Sequence, residues 1–317
     1  MSQERQASQD TSGPERIDAM ERVRAALTET APFSDMLTEV QAGPYSIVGV
    51  SVGGVYTSLC VPELGVILDI GIAPRSFVGA PHLFLSHGHA DHIGSLVTLL
   101  GHRGLAGVDP PRVFLPAEIE EPVREGVRAF TLVQGRGRTL DYVPLDPGQV
   151  VPLHADWEVR AFRTLHSVPS LGYEFRRRVQ KLRPEFLDLP GPEIRARRLS
   201  GEDIFEPVIR REFAYATDTL IDVLDREPEL CQARALVLEC TFLDERKGRS
   251  ACREKCHIHL DEIIERADQF ENEFLVLMHF SQIYRPAEVH EILKRRLPAA
   301  LARKVVVFSP DRGPLPG

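Results

Sequence analysis

Lysine, cysteine and tryptophan are scarce in this chain of 317 residues, and long apolar runs are missing. Five Cys, an odd number at irregular spacings, exclude a disulfide framework and fit reduced thiols. Cys252, Cys256 and His257 lie close together, but a zinc knuckle needs a second ligand pair nearby and none is present. No apolar run approaches the ~20 residues of a membrane span. The first residues, Met1 to Gln6, lack the apolar core of a signal peptide, so a cytoplasmic protein with no membrane partner is expected. Only five of the 38 basic residues are Lys, and the net charge is −8. That balance argues against broad nucleic-acid binding but leaves room for a local arginine surface. No solenoid repeat is visible.

What is present fits a globular protein, with 43% hydrophobic and 26% charged residues. Residues 1–40 read as an N-terminal extension, polar and disordered over 1–14. Ile17, Met20, Val23 and Leu27 give one amphipathic helix over 15–30. Residues 41–317 read as one domain. Strands are expected at Tyr45–Val50, Val55–Val61, Val66–Ile70, Arg112–Leu115, 141–145, 150–153 and 157–163, the last running on to His166. More follow at Gly172–Arg177, Phe213–Thr217, Ala235–Leu238, Phe274–Met278 and Val305–Phe308. Helices are expected at Ile93–Leu100, Ala117–Val133, 258–271 and 286–296. Gln134–Arg138 reads as a flexible basic tip, and Arg176–Arg198 as a basic connection. Strands first, then strand and helix in alternation, predict an α/β sandwich with helices outside.

The chemistry concentrates at 87–92. Leu83 to Leu85 run into His87, His89, Asp91 and His92, four metal-ligating side chains within six residues. Alternate strand residues face the same way, so His87 and His89 can reach one ion. A following helical turn lets Asp91 and His92 face a second. Further along, His166, Asp218, Glu239 and His279 each end an apolar run, and strand ends on one sheet edge converge. The candidate metal shell is His87, His89 and His166 on one ion and Asp91, His92 and His279 on the other, with Asp218 bridging. Such ligands suit two Zn2+ ions, with Mn2+ or Fe2+ as alternatives. Paired ions stabilise both oxygens of an in-line displacement at phosphorus. His154 follows a run broken by Pro152 and ranks below His166. His82, His102 and His290 lack a strand-end lead.

His87-Gly-His-Ala-Asp-His92 resembles the signature of the metallo-β-lactamase superfamily, whose fold is an αββα sandwich of two mixed β-sheets with helices outside. Tyr215 to Thr219, Glu239-Cys-Thr-Phe242, His257-Ile-His259 and His279-Phe-Ser281 follow in the order seen in ribonuclease Z, the tRNA 3′-end endonuclease. The stretch 173–200, with Lys181, Glu193 and Leu199, is most similar to the short forms. The resemblance spans about 45 to 310. It implies a zinc-dependent endoribonuclease that removes the 3′ trailer of precursor tRNA, with precursor tRNA or another RNA as partner and a homodimer as assembly. The alternative is a small-molecule phosphodiesterase or lactone hydrolase of the same fold. The resemblance also implies roles. Asp91 would orient or deprotonate the nucleophile, His257 would protonate the leaving 3′ oxygen, and Glu239 would tune His257. His259 competes for the acid role. Arg176, Arg177, Arg178, Lys181 and Arg183 are candidate RNA contacts. Two departures stand out. Gln282 and Ile283 occupy a place where the family often has Arg, with Arg285 further on. The protruding tRNA-binding arm has no long counterpart; residues 117–140, with Arg124, Arg128, Arg136 and Arg138, are the one candidate for it.

Overall fold

The computed structural model describes residues 37–135 and 140–310. The expected features at 1–14 and 15–30, and Arg136 and Arg138, lie outside the described residues. The first sheet runs in chain order: β1 (Thr38–Ala42), β2 (Tyr45–Val52), β3 (Tyr56–Val61), β4 (Val66–Leu68), β5 (His82–Phe84), β6 (Arg112–Pro116) and β7 (Asp141–Leu145). The second sheet also follows chain order: β8 (Val150–His154), β9 (Trp157–Arg163), β10 (Leu171–Leu182), β11 (Phe205–Ala216), β12 (Ala235–Glu239), β13 (Phe274–Met278) and β14 (Val305–Val307). In each sheet the first four strands pair antiparallel and the fourth to seventh pair parallel. The same wiring is used twice. Short connections suffice where neighbours are antiparallel, and longer crossovers serve the parallel ones.

Alternation along the strands sorts the core into three layers. Phe84, Phe114, Tyr173, Phe175, Phe213, Val237 and Val276 point between the sheets. Phe84 stacks on Phe114 with ring centroids 4.3 Å apart and meets Tyr173 and Phe175 edge-on. Leu83, Leu85 and Val113 face outward beneath Leu96, Leu99, Leu100 and Val127 of the helices Leu96–Leu105 and Glu120–Val133. Leu236, Leu238, Leu275 and Leu277 do the same beneath Val289, Ile292 and Leu293 of the helix Pro286–Arg296. Each fully buried Leu or Phe contributes about 1.5–3 kcal/mol. The expected αββα sandwich is therefore present, with both sheets buried on two faces.

Several boundaries differ from expectation for physical reasons. A strand, β1, precedes Tyr45, and its first three residues fall within the stretch read as an extension. The helix expected at Ile93–Leu100 is two helices, Ala90–Ile93 and Leu96–Leu105, interrupted at Gly94 and Ser95. The helix expected at Ala117–Val133 opens as one 3-10 turn, Ala117–Ile119, before Glu120–Val133. The helix expected over 258–271 is only Leu260–Glu265, because His259 caps it with an extended backbone. β9 stops at Arg163, so His166 stands in a loop rather than at a strand end. The basic connection contains the helix Gly191–Leu199, begun by Pro190 and Pro192.

The largest difference is the β10–β11 hairpin. Its strands run well past the expected Gly172–Arg177 and Phe213–Thr217. β10 pairs with β9 only as far as Arg177, and β12 pairs with β11 only from Phe213. Beyond those points the two strands form a ladder only with each other, from Arg178↔Ile209 to Leu182↔Phe205, with single bonds at its base from the Arg178 N–H to the Asp156 carbonyl and from the Arg234 N–H to the Arg211 carbonyl. The apolar alternation that marks a strand fades there because neither face is covered.

Candidate active site

Three carboxylates and one imidazole leave strand ends on the same side of the sandwich. Asp69 follows β4, Asp218 follows β11, Glu239 ends β12, and His279 follows β13. Asp91 and His92 come from the short helix after β5. Asp69, Asp218 and His279 adopt left-handed backbone, with φ of 58°, 43° and 62°. Such conformations cost roughly 1–3 kcal/mol each and gather where side chains must be aimed. Here they turn each side chain off the strand axis and into one cleft.

The structure brings every expected metal ligand together. The ligand atoms of His87, His89, His166 and Asp218 lie within 4.8 Å of one another, and so do those of Asp91, His92 and His279. Asp218 stands between the two groups. Its Oδ2 is 3.8 Å from both His87 Nε2 and His166 Nε2, and its Oδ1 is 3.3 Å from His92 Nε2 and 3.2 Å from His279 Nε2. His87, His92, Asp218 and His279 are buried, whereas Asp91 and His89 are partly exposed.

The tautomers are set from behind. His87 Nδ1 donates to Ser86 Oγ at 2.9 Å, and that hydroxyl donates to Asp69 Oδ2 at 2.7 Å. His92 Nδ1 donates to the same carboxylate oxygen at 2.8 Å. His279 Nδ1 donates to Thr241 Oγ1 at 3.0 Å, which donates to Glu239 Oε2 at 2.5 Å. Each proton is thus held on Nδ1, and each Nε2 presents a lone pair to the cleft. His92 Nε2 and His279 Nε2 are buried with no hydrogen bond, since their contacts with Asp218 have the distance but not the alignment of one. His87 Nε2 and His89 Nδ1 face each other at 3.0 Å, and His166 Nε2 is 3.2 Å from the same His89 atom. Converging lone pairs beside a buried carboxylate repel one another unless a cation sits among them. The donor set fits divalent metal ions.

The electrostatics differ between the histidines. Burial pulls the His87 imidazole down to about 2, so it stays neutral and able to ligate. Burial acts on His92 too, but Asp218, Asp69 and Asp91 outweigh it and push the ring up to about 9. The same negative potential would attract a dication. Burial alone would raise Asp218; the histidines His279, His92 and His87 hold its carboxyl well below the usual range.

A second group adjoins the first. Glu239 is fully buried and accepts from Thr219 N–H at 2.6 Å, Ile258 N–H at 3.1 Å and His257 Nδ1 at 3.1 Å. The His257 ring lies 5.4 Å from that of His279 and 5.8 Å from that of His166. Burial lowers its basicity, but the Glu239 carboxylate prevails and pushes it up to about 9. A dication beside it would oppose that rise. His259, the competitor for the acid role, faces away. It is buried, caps the following helix through Asp261 N–H, and turns Nε2 toward the Asp244 carbonyl at 3.2 Å.

Asp69 is the functional residue that sequence reasoning passed over. It was visible as the close of an apolar strand, the same signal that singled out Asp218 and Glu239. Tyr215, from the opposite sheet, donates to Asp69 Oδ2 at 2.6 Å, so the two sheets share this carboxylate.

The arginine candidates lie elsewhere. Arg176, Arg177 and Arg178 sit on β10 and Arg183 just beyond it, paired with Glu158, Asp156, Glu158 and Asp203. Lys181 is exposed on the outer hairpin. Arg124, the described arginine of the expected arm that pairs within its own helix, bonds Glu120. Residues 120–133 form a helix against the body, so they do not supply a protruding arm; the β10–β11 hairpin is the element that projects.

Comparison with known proteins gives a consistent picture. A family model described as a beta-lactamase superfamily domain matches residues 71–280. The chain is 34% identical over 272 residues to tRNase Z TRZ1 of Arabidopsis thaliana, covering 85% of this chain and 97% of that protein. It is 38% identical over 164 residues to the nuclear ribonuclease Z of Triticum aestivum, covering 52% of this chain and 93% of the relative. The solved structure of the short form of human tRNase Z superposes with a TM-score of 0.53 at 18% identity, covering 83% of this chain and 95% of the other. That last likeness concerns the fold.

Proposed function

Given that the chain belongs to the ribonuclease Z family of the metallo-β-lactamase superfamily, we propose that it is a metal-dependent endoribonuclease that removes the 3′ trailer of precursor tRNA. The observation that carries this beyond the superfamily is the Glu239–His257 pair beside the ligand cluster. A hydrolase of a strained ring has no comparable need of a proton donor opposite its nucleophile. A phosphodiester with an alkoxide leaving group does.

The proposed metals are two Zn2+ ions, held by His87, His89 and His166 and by Asp91, His92 and His279, with Asp218 shared. When bound, they neutralise charge on the phosphoryl oxygens and polarise the phosphorus. Asp91, the most accessible of the carboxylates, accepts the proton of the attacking water. His257 gives a proton from Nε2 to the leaving 3′ oxygen. Glu239 keeps the other proton on Nδ1 and orients the ring. The outer hairpin, with Lys181 and the arginines Arg176, Arg177, Arg178 and Arg183, is proposed to meet RNA away from the scissile bond. The ion pairs of those arginines make each such contact an exchange of partners rather than a free gain.

A homodimer and a cytoplasmic location complete the proposal. Leu105, Phe130, Leu132 and Val133 are exposed near the ends of two outer helices and offer an apolar contact surface. Among the described residues no helix is long and apolar enough to cross a membrane, and the five cysteines are free. The deciding experiment is incubation of the full chain with zinc and a 3′-extended tRNA. One cut near the discriminator base is expected. Turnover of bis(p-nitrophenyl) phosphate with the RNA left intact would favour the small-molecule hydrolase instead.

A further inference from the structure

We infer that Cys252 is a positioning residue for His257, holding the imidazole in place through its backbone. The inference rests on the reading of His257 as the proton donor. His257 belongs to no helix or strand. It follows the short helix Arg249–Arg253 and a left-handed turn at Cys256, φ 58°. Two hydrogen bonds close that turn on a single residue. The His257 N–H donates to the Cys252 carbonyl at 3.2 Å, and the Cys252 thiol donates to the His257 carbonyl at 3.0 Å. The thiol is wholly buried. Burial, aided by the Glu239 charge, pushes it well above the usual thiol range, so the S–H keeps its hydrogen and remains a donor.

The turn is anchored at its start as well. Arg253 reaches Glu262 and Asp222, both at 2.7 Å. Glu262 belongs to the helix after His257, and Asp222 to the loop after Asp218. His257 is therefore gripped from two sides. The Glu239 carboxylate holds its ring and the N–H of Ile258, and Cys252 holds its backbone. Releasing the thiol bond frees the carbonyl end and lets the ring pivot about Glu239. A displacement of about 1 Å at a reacting group can cost on the order of a hundredfold in rate. One weak bond of two is lost here, so about a tenfold effect is expected.

The test compares two substrates on the full metal-loaded chain. A 3′-extended tRNA needs a proton on its leaving oxygen. Bis(p-nitrophenyl) phosphate does not, because nitrophenolate departs unprotonated. Cys252→Val fills the space without a donor, and Cys252→Ser restores one. Expected for Cys252→Val is a kcat on tRNA about tenfold lower, with KM and nitrophenyl turnover as in the parent and most of the tRNA rate recovered in Cys252→Ser. Full tRNA activity in Cys252→Val overturns the inference. So does equal loss on both substrates, which marks a packing defect. So does a serine variant as slow as the valine. Should the valine variant fail to fold, Cys252→Ala is measured in its place against the same outcomes. His257→Ala separates the two readings: if it cleaves tRNA normally, the assignment of His257 itself fails; if it is slow while Cys252→Val is not, only the inference about Cys252 does.

Discussion

The strand-end cleft and the outer β10–β11 hairpin are both rich in charge, and they dispose of it in opposite ways. In the hairpin each arginine meets a carboxylate close by: Arg177 with Asp156, Arg178 with Glu158, Arg183 with Asp203. In the cleft, imidazoles and carboxylates are packed so that His92 Nε2 and His279 Nε2 are left with no hydrogen bond at all. Burying unsatisfied nitrogen costs roughly 1–3 kcal/mol each, whereas exposed ion pairs are near neutral. The difference teaches where to look for chemistry. Charge that is already satisfied describes a surface. Buried nitrogens left without a hydrogen bond and converging on one carboxylate, as His92 Nε2 and His279 Nε2 do on Asp218, describe a binding site.

That contrast can be broken or sharpened by substitution. The largest effect is expected at Asp218, which both ligand groups share. Asp218→Ala should lower RNA cleavage by at least about a thousandfold and reduce bound metal, checked by elemental analysis; full metal content with full activity would break the contrast outright. Next is His257→Ala. General-acid loss of about a hundred- to ten-thousandfold in kcat on tRNA is expected, with metal content unchanged. Asp69→Asn should follow, at about ten- to a hundredfold in metal affinity or activity, read by titration with a chelator. It touches no substrate, so an unchanged metal affinity would show that His92 and Ser86 hold themselves. The smallest effects belong to the hairpin. Arg178→Ala should change unfolding stability by less than about 1 kcal/mol in a denaturant titration. Lys181→Ala should reduce the salt dependence of tRNA binding by about one counterion without altering kcat; a large kcat loss would move the hairpin into the chemical step.

Much of the cleft was legible in the sequence because strands deliver side chains to one edge. Phe274 to Met278 leading into His279, and Ala235 to Leu238 leading into Glu239, are apolar runs with one polar terminus, and the sheet makes their ends neighbours. The six-residue His87–His92 segment needs only local geometry to be read. The role of Asp69 depends on Tyr215 arriving from the other sheet, which no local pattern encodes. His166 was found although its strand ends three residues earlier, since the loop carries it to the same place. The hairpin was misjudged because strand signals come from burial. Arg178 to Leu182 and Phe205 to Arg211 are held by each other's backbones and by ion pairs, so they look like a connection. The thiol at Cys252 was read as an ordinary reduced cysteine, because nothing in its spacing reveals the His257 carbonyl as its partner.

The left-handed backbone at Asp69, Asp218 and His279 has a consequence for anyone who would re-engineer the site. Asn, Asp, His and Gly tolerate that conformation, while β-branched and bulky residues resist it. The repertoire open at these three positions is therefore narrower than ligand chemistry suggests. A redesign for a softer or harder ion that installs Glu at 218 or Cys at 279 changes the donor atom and also penalises the backbone that aims it. Exchanges at His87, His89 or His166, which stand on ordinary backbone, meet no such penalty. Metal preference in this scaffold is better altered from that side of the pair.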